Sequence, residues 1–133
     1  MRMTHHRRTV TAAGAPAAVG PYSHAVVSNG LVFCSGQIPL DPDSGELIEG
    51  DAAAQARRCL ASLAAVCEAA GASLQDAVRC TVYLTDLAGD WAAVNGAYEE
   101  FFPADPPARV AIGVASLPKG ADVEIDAIVA LPD

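Results

Sequence analysis

The chain has 133 residues, 52% of them apolar, which suits one domain with a real core and leaves little room for a second. Sixteen acidic residues outnumber eight basic ones, and three of the arginines fall in the first eight positions, so from residue 9 onward five basic residues face all sixteen acids, a net charge of −11. A body of that sign repels phosphate backbones, and no apolar run approaches the ~20 residues of a membrane span, which disfavours nucleic-acid and membrane partners.

The first segment, "MRMTHHRRTV", carries charge but no apolar stretch after it, unlike a signal peptide. We therefore expect a cytoplasmic protein in which residues 1–14 form a flexible basic lead with a candidate first edge strand, and residues 15–133 form one domain. The four cysteines show no CxxC pair and no histidine at metal spacing. They are expected to be small hydrophobes in a reduced core, and no metal site is predicted.

The first predicted element after the lead is a hairpin. Two β-rich segments, residues 25–27 and 31–35, flank Asn29-Gly30, a pair that favours the left-handed conformation of a tight turn. The segment that follows, "LDPDSGELIEGD", is rich in proline, glycine and aspartate and predicts a loop.

A long helix is predicted next, from about Asp51 to Ala70. Asp51 is a suitable N-cap, and Gly71 stands where a helix commonly stops. Apolar residues recur at spacings of three and four and form one stripe: Ala56, Leu60, Leu63, Cys67 and Ala70.

A strand and a second helix follow. Residues 77–85 alternate as a half-buried strand does, and Asp90 is predicted to cap a helix from about Trp91 to Phe102 that Pro103 ends. The predicted buried line of the strand is Val78, Cys80, Val82 and Leu84, and that of the helix is Val94, Tyr98 and Phe101.

Two further strands, residues 109–115 and 123–131, close the chain. The order hairpin, helix, strand, helix, strand, strand predicts an α+β fold, a two-layer sandwich with both helices on one face of a mixed sheet. Right-handed crossovers make the strands before and after each helix parallel.

The closing strands divide their residues between two faces. In the last strand, Val123 and every second residue after it are expected to lie beneath the helices, and Glu124 and Asp126 are expected on the other face. The strand before it is expected to divide the same way, with the bulky Val110 and Ile112 on the helix side and Arg109, with the small residues that alternate after it, including Ala111, on the other. The uncovered sheet face is mixed in character, which favours contact with another subunit; a ring of three chains is one natural arrangement.

The segments "APAAVGPYSHAV", "FCSGQIPLDPDSGEL", "WAAVNGAYEEFF" and "PPARVAIGVASLPKGADVEIDAI" resemble, in order and spacing, the reactive-intermediate deaminase family (RidA, also called YjgF). The resemblance runs from about residue 15 to residue 131. It implies a chorismate-mutase-like fold, a homotrimer with a ligand cleft at each subunit interface, and hydrolysis of reactive 2-imino and enamino acids to 2-keto acids and ammonia. It implies no cofactor and no metal.

The resemblance also implies roles for particular residues. Arg109 matches the arginine that holds the substrate carboxylate, and Glu124 the glutamate that positions or activates water. Residues matching the substrate-binding positions are Tyr22, Ser35, Gly36, Asn95 and Ala111. Many relatives carry cysteine where this chain has Ala111, so thiol chemistry at that position is not expected here.

The sequence pattern alone is also compatible with purely structural roles for these residues. Arg109 could be a surface ion-pair partner on an edge strand, Glu124 a solvated carboxylate, and Asn95 a structural hydrogen-bonder. If the last two strands run antiparallel, Arg109 and Glu124 lie about 15–20 Å apart in one chain, so one site needs two chains. The alternatives to the enzyme are a non-enzymatic module that binds small carboxylates, an endoribonuclease or translation inhibitor, and a chorismate mutase.

Overall fold

The computed structural model describes residues 6–133 and confirms the predicted two-layer α+β architecture. Two helices cover one face of a mixed six-stranded sheet whose order is β1-β2-β3-β6-β4-β5. The strands are β1 (Arg8–Val10), β2 (Ala25–Ser28), β3 (Leu31–Gln37), β4 (Ala77–Leu84), β5 (Ala108–Gly113) and β6 (Val123–Ala130), and the helices are α1 (Ala52–Ala70) and α2 (Leu87–Phe101).

The hairpin of β2 and β3 forms where the sequence predicts it. Asn29 and Gly30 both adopt positive φ, 52° and 77°, which is the left-handed conformation that joins two adjacent antiparallel strands. At the outer edge β1 pairs with β2, and Val10 and Ala12 are buried in the main core. The division at residue 15 between a basic lead and the domain stays a prediction, and the first five residues of that lead lie outside the described residues.

Helix α1 has the predicted ends. The Asp51 carboxylate accepts a hydrogen bond from the Ala54 N–H, and Gly71, at φ 85°, adopts the left-handed conformation that terminates the helix. Its apolar stripe lies against the sheet, where Leu60 and Leu63 are fully buried.

Helix α2 begins one turn earlier than predicted. The cap is Asp86, whose carboxylate accepts from the Gly89 N–H, whereas Asp90 lies inside the first turn. Two aspartates four residues apart are both suited to a helix start, and the sequence pattern selected the wrong one. The helix ends at Phe101, and Phe102 rather than Phe101 is buried.

Strand β4 is buried on its helix side except at its start. Cys80, Val82 and Leu84 are buried as predicted, but Val78 is 46% exposed. A β-bulge between Ala77 and Arg79 shifts the pairing with β6, so Val78 leaves the buried line.

The two faces of β5 are the reverse of the prediction. Parallel pairing with β4 sets Arg109 level with Cys80 and Ala111 level with Val82, whose side chains face the helices. α2 lies close to this side of β5, because a Cβ on Gly113 would already be in van der Waals contact with the Leu87 Cβ at 3.4 Å.

Strand β6 confirms its predicted division. Val123, Ile125, Ala127 and Val129 are buried beneath the helices, and Glu124 and Asp126 point to the other side. No helix among the described residues covers this second side, which we call the open sheet face. It presents large apolar side chains that are 38–45% exposed: Phe33, Val110 and Ile112.

Buried His24 fastens the N-terminal segment to the hairpin. Its Nδ1 accepts from the Ala12 N–H at 2.9 Å, and its Nε2 lies 2.8 Å from the Pro16 carbonyl oxygen, so the neutral Nε2–H tautomer satisfies both backbone groups. The side chain is only 5% exposed. The ring therefore pairs two backbone groups on either side of a loop that is otherwise poor in regular structure.

We expect His24→Leu to lower the free energy of unfolding by about 2–4 kcal/mol, because two buried backbone groups lose their partners. Urea denaturation measures the change. His6→Leu is the matched control: His6 is exposed, so its variant should stay within about 0.5 kcal/mol of the parent. Coincident denaturation curves for the two variants would show that the ring does not fasten the segment.

Candidate functional site

A cavity of about 300 Å³ gathers four of the predicted site residues at one end of the sheet. Tyr22, Ser35, Gly36 and Glu124 line it together, although they come from three separate parts of the chain. The other lining residues are Val19, Ile38 and Pro118. We call this the glutamate cavity.

A β-bulge brings Gly36 against Glu124. The pairing of β3 with β6 shifts between Cys34 and Gln37, and the displaced Gly36 backbone lies beside the Glu124 carboxylate. A Cβ at Gly36 would collide with that carboxylate. The absence of a side chain at Gly36 therefore lets the Glu124 carboxylate lie against the backbone, and any larger residue would force that carboxylate to move.

Local backbone groups hold the two hydroxyls of the glutamate cavity. Ser35 Oγ donates to the Ser23 carbonyl at 2.6 Å, and the Tyr22 hydroxyl accepts from the Val19 N–H at 3.2 Å. Tyr22 is exposed, so its ring forms part of the cavity mouth. Both hydroxyls have fixed positions and retain capacity for a further hydrogen bond.

Glu124 differs electrostatically from its neighbour Asp126 on the same strand face. Burial, and secondarily the Asp126 charge, raises the pKa of Glu124 above its ordinary value. Asp126 is held by the Thr81 N–H at 3.0 Å and the Tyr83 hydroxyl at 3.1 Å. Within residues 6–133 no hydrogen bond or ion pair engages the Glu124 carboxylate, so it is available to a ligand or a water.

A second cavity, of about 450 Å³, contains Arg109 and Asn95, and we call it the arginine cavity. Arg109 Nη1 donates to Asn95 Oδ1 at 2.7 Å, which supports Asn95 as the residue that orients the guanidinium. The guanidinium carbon also lies 5.4 Å from the Trp91 ring centroid and 4.9 Å from that of Tyr98. Two aromatic faces and one amide thus fix the cation.

One chain does not bring Arg109 and Glu124 together. Arg109 is level with Cys80 of the intervening β4 and Glu124 with Tyr83, so three residues and two strand spacings separate them, about 14 Å between Cα atoms. This separation is slightly smaller than the ~15–20 Å expected from the sequence. However, the two side chains leave opposite faces of the sheet.

The remaining predicted site residue, Ala111, lines neither cavity and packs against the main core. Sequence reasoning missed Trp91 and Tyr98 beside Arg109, and Val19 and Pro118 in the glutamate cavity. All four stand inside the sequence segments that carry the family resemblance, which was the available signal.

The described residues offer little to a metal or to thiol chemistry. No group of three or more His, Cys, Asp or Glu within residues 6–133 could hold a metal ion. The four cysteines are buried and unpaired, as predicted, and burial raises the pKa of Cys80 to about 11. No helix in this part of the chain is long and apolar enough to cross a membrane.

Known proteins match the chain over nearly its whole length. The sequence model of the family described as "Endoribonuclease L-PSP" matches residues 12–131. Protein DfrA of Myxococcus xanthus is 50% identical over 124 residues, covering 92% of this chain and 94% of its own. The 2-iminobutanoate/2-iminopropanoate deaminase of Capra hircus is 43% identical over 122 residues, covering 92% of this chain and 88% of its own.

Solved structures share the fold. The crystal structure of RidA from the Antarctic bacterium Psychrobacter sp. PAMC 21119 superposes with a TM-score of 0.89 at 44% identity, covering 93% of this chain and 99% of that one. This likeness confirms the predicted chorismate-mutase-like fold.

Proposed function

The chain belongs to the Endoribonuclease L-PSP family, the family of RidA and YjgF, and from that membership we propose that it hydrolyses reactive 2-imino and enamino acids to 2-keto acids and ammonia. Curated relatives named 2-iminobutanoate/2-iminopropanoate deaminase support this activity at the level of the family. One observation of this chain supports the proposal: it has an immobilised guanidinium that could bind a carboxylate and an unpaired, half-buried carboxyl that could activate water.

Arg109 is proposed to bind the substrate carboxylate. Asn95 occupies Nη1 and the rings of Trp91 and Tyr98 flank the cation, which leaves the rest of the planar fork for a bidentate contact. A fixed guanidinium loses little conformational freedom when it binds the substrate carboxylate. The bound carboxylate in turn fixes the position of the imine carbon within the site.

Glu124 is proposed to activate water. The water oxygen adds to the electrophilic imine carbon while the carboxylate accepts a water proton, and the imine nitrogen, protonated, becomes the amine of a carbinolamine. Glu124 then returns that proton to the amine nitrogen, the carbon–nitrogen bond breaks, ammonia leaves, and the hydroxyl proton passes to solvent as the keto group forms. A carboxyl whose pKa is raised is a stronger base than an ordinary glutamate when it is ionised.

We propose that the working protein is a homotrimer in which each site combines the glutamate cavity of one subunit with the arginine cavity of the next. The separation of about 14 Å between the Arg109 and Glu124 Cα atoms, on opposite sheet faces, supports two contributing chains. The open sheet face supports a large contact, because exposed Phe33, Val110 and Ile112 there would be buried by another copy.

The alternative functions fit these residues less well. Arg109 would serve a non-enzymatic carboxylate-binding module equally well, but such a module has no use for an unpaired Glu124. Ribonuclease chemistry, which the family description names, is disfavoured by the acidic body. It is also disfavoured by His24, whose two ring nitrogens both engage backbone groups and are not available as acid or base.

The direct test generates 2-iminobutanoate or 2-iminopropanoate with an amino-acid oxidase, in the absence and presence of the protein, and follows the keto acid by coupled reduction. The protein is expected to accelerate keto-acid formation in proportion to its concentration. A rate unchanged across several imino acids would refute the enzyme and leave the binding module.

Gly36→Ala tests the close approach in the glutamate cavity. The new Cβ collides with the Glu124 carboxylate, which must move, and a displaced base loses alignment with its water. We expect kcat/KM to fall by about 10²-fold, measured with the oxidase-coupled assay. Gly96→Ala is the matched control, because a Cβ at Gly96 of α2 meets nothing within 4 Å, and full activity is expected there. Equal activity in the two variants would contradict the placement of Glu124.

A further inference from the structure

The arginine cavity extends beyond the guanidinium into a space that the proposed chemistry does not use. Besides Arg109 and Asn95, its 450 Å³ is lined by Tyr98, Phe102, three prolines and the exposed Glu99. A carboxylate and an imine carbon account for only a small part of this volume.

The floor of this space is rigid and aromatic. The rings of Tyr98 and Phe102 lie 4.8 Å apart between centroids, at an interplanar angle of 42°. Both residues are at least 94% buried. The floor is therefore preformed; the Tyr98 hydroxyl is itself buried, so the small surface that the two rings expose is of the apolar kind that accepts hydrocarbon.

The loop that joins α2 to β5 forms a further wall of the cavity. Pro103, Pro106 and Pro107 of this loop line the cavity. Proline fixes its φ angle and carries no N–H, so the wall presents hydrocarbon, holds its shape and offers a ligand no backbone donors at those positions. A wall that is already ordered costs little conformational entropy when a ligand packs against it.

From this geometry we infer that the space beside Arg109 is a side-chain subsite for 2-imino and 2-keto acids whose side chains are apolar and at least three carbons long. With the carboxylate on Arg109, the side chain lies along the Tyr98–Phe102 floor against the proline wall. The exposed carboxylate of Glu99 disfavours substrates with an acidic side chain. The inference rests on the proposed function for the position of the carboxylate, and it adds the substrate class.

The test compares three stable keto acids by isothermal titration calorimetry with the full chain: 4-methyl-2-oxopentanoate, pyruvate and 2-oxoglutarate. Each buried methylene strengthens binding by about fourfold. 4-Methyl-2-oxopentanoate has three more carbons than pyruvate, and if these are partly buried its Kd should be lower than that of pyruvate by about 10-fold or more. 2-Oxoglutarate, of similar length but charged at the far end, should bind no better than pyruvate.

Two substitutions in the same loop locate the effect. Pro106→Gln places an amide in the cavity wall and should reduce the preference for 4-methyl-2-oxopentanoate over pyruvate to less than threefold, with the pyruvate Kd unchanged. Ala104→Gln is the matched control, because Ala104 is exposed and does not line the cavity, and its preference should equal that of the parent.

Equal affinities for the three acids, no measurable binding by any of them, or equal effects of the two substitutions would each overturn the subsite. Failure of the subsite and failure of the proposed function give different results. Imine hydrolysis without a side-chain preference would retain the enzyme and refute the subsite. A preference in binding without hydrolysis would retain the subsite and refute the enzyme.

Discussion

Arg109→Ala is expected to reduce kcat/KM for 2-iminobutanoate by about 10²–10³-fold. A charge-assisted bidentate contact is lost, and removing one partner of such a contact commonly costs about 3–4 kcal/mol. The oxidase-coupled assay measures the loss, and most of it should fall on KM, because the guanidinium binds the carboxylate before and during the reaction.

Arg109→Lys separates the shape of the cation from its charge. Lysine keeps a positive charge but has no planar fork, and it cannot satisfy Asn95 and a carboxylate in the same geometry. We expect it to recover less than a tenth of the lost activity. Thermal unfolding of both variants is the control for folding. If lysine restores full activity, the carboxylate clamp described here is wrong.

Glu124→Gln is expected to reduce kcat by about 10²–10⁴-fold, the usual contribution of a general base, while KM changes little. The pH dependence gives a second signature. The base must be ionised, so in the parent protein kcat/KM should fall as the pH drops through the raised pKa of Glu124. That acid limb should be absent from the residual activity of the variant.

The stability of the Glu124→Gln variant shows whether its loss of activity is due to the missing base or to unfolding. Because the pKa of Glu124 is raised in the folded state, ionisation is disfavoured by folding, and stability is lost as the pH rises from the ordinary glutamate pKa through the raised one. Glutamine removes that cost. At neutral pH the variant should therefore unfold at the same urea concentration as the parent or a higher one. A clear loss of stability would mean that Glu124 has a structural role instead.

The sequence predicts most of the fold because its local signals agree with one another. The Asn29-Gly30 turn, the Asp51 cap and the Gly71 stop each specify a backbone conformation that needs no distant partner. The alternation along β6 is strong enough to assign both of its faces. These signals fix the hairpin, α1 and the last strand, and the hairpin and the last strand supply Ser35, Gly36 and Glu124 to the glutamate cavity.

Two of the errors arise where a long-range pairing decides the outcome, and a third arises from a local ambiguity. The faces of β5 depend on its register with β4, and the segment alone, with bulky and small residues alternating, fits either orientation. The exposure of Val78 follows from a bulge that only the pairing with β6 reveals. The start of α2 was misplaced because two aspartates one turn apart both suit a helix cap.

The site was predictable in its membership more than in its arrangement. Tyr22, Ser35, Gly36 and Glu124 were named from family motifs, and they line one cavity. No pattern in the segments themselves indicates that Trp91 and Tyr98 flank Arg109. That contact depends on how α2 is positioned along β5, which is decided by tertiary packing. Of the loop prolines of the arginine cavity, the sequence pattern gives a role only to Pro103, as the end of a helix, and gives none to Pro106 and Pro107.

Subunit complementation tests the central proposal, a deaminase site shared by two chains, most directly. Arg109→Ala and Glu124→Gln subunits are dissociated, mixed in equal amounts and reassociated, and native mass spectrometry confirms mixed oligomers. If each site takes Arg109 from one subunit and Glu124 from its neighbour, random mixing leaves about a quarter of the sites intact, and about a quarter of the parent activity should return. Mixed oligomers that are no more active than the two separate variants would contradict the account.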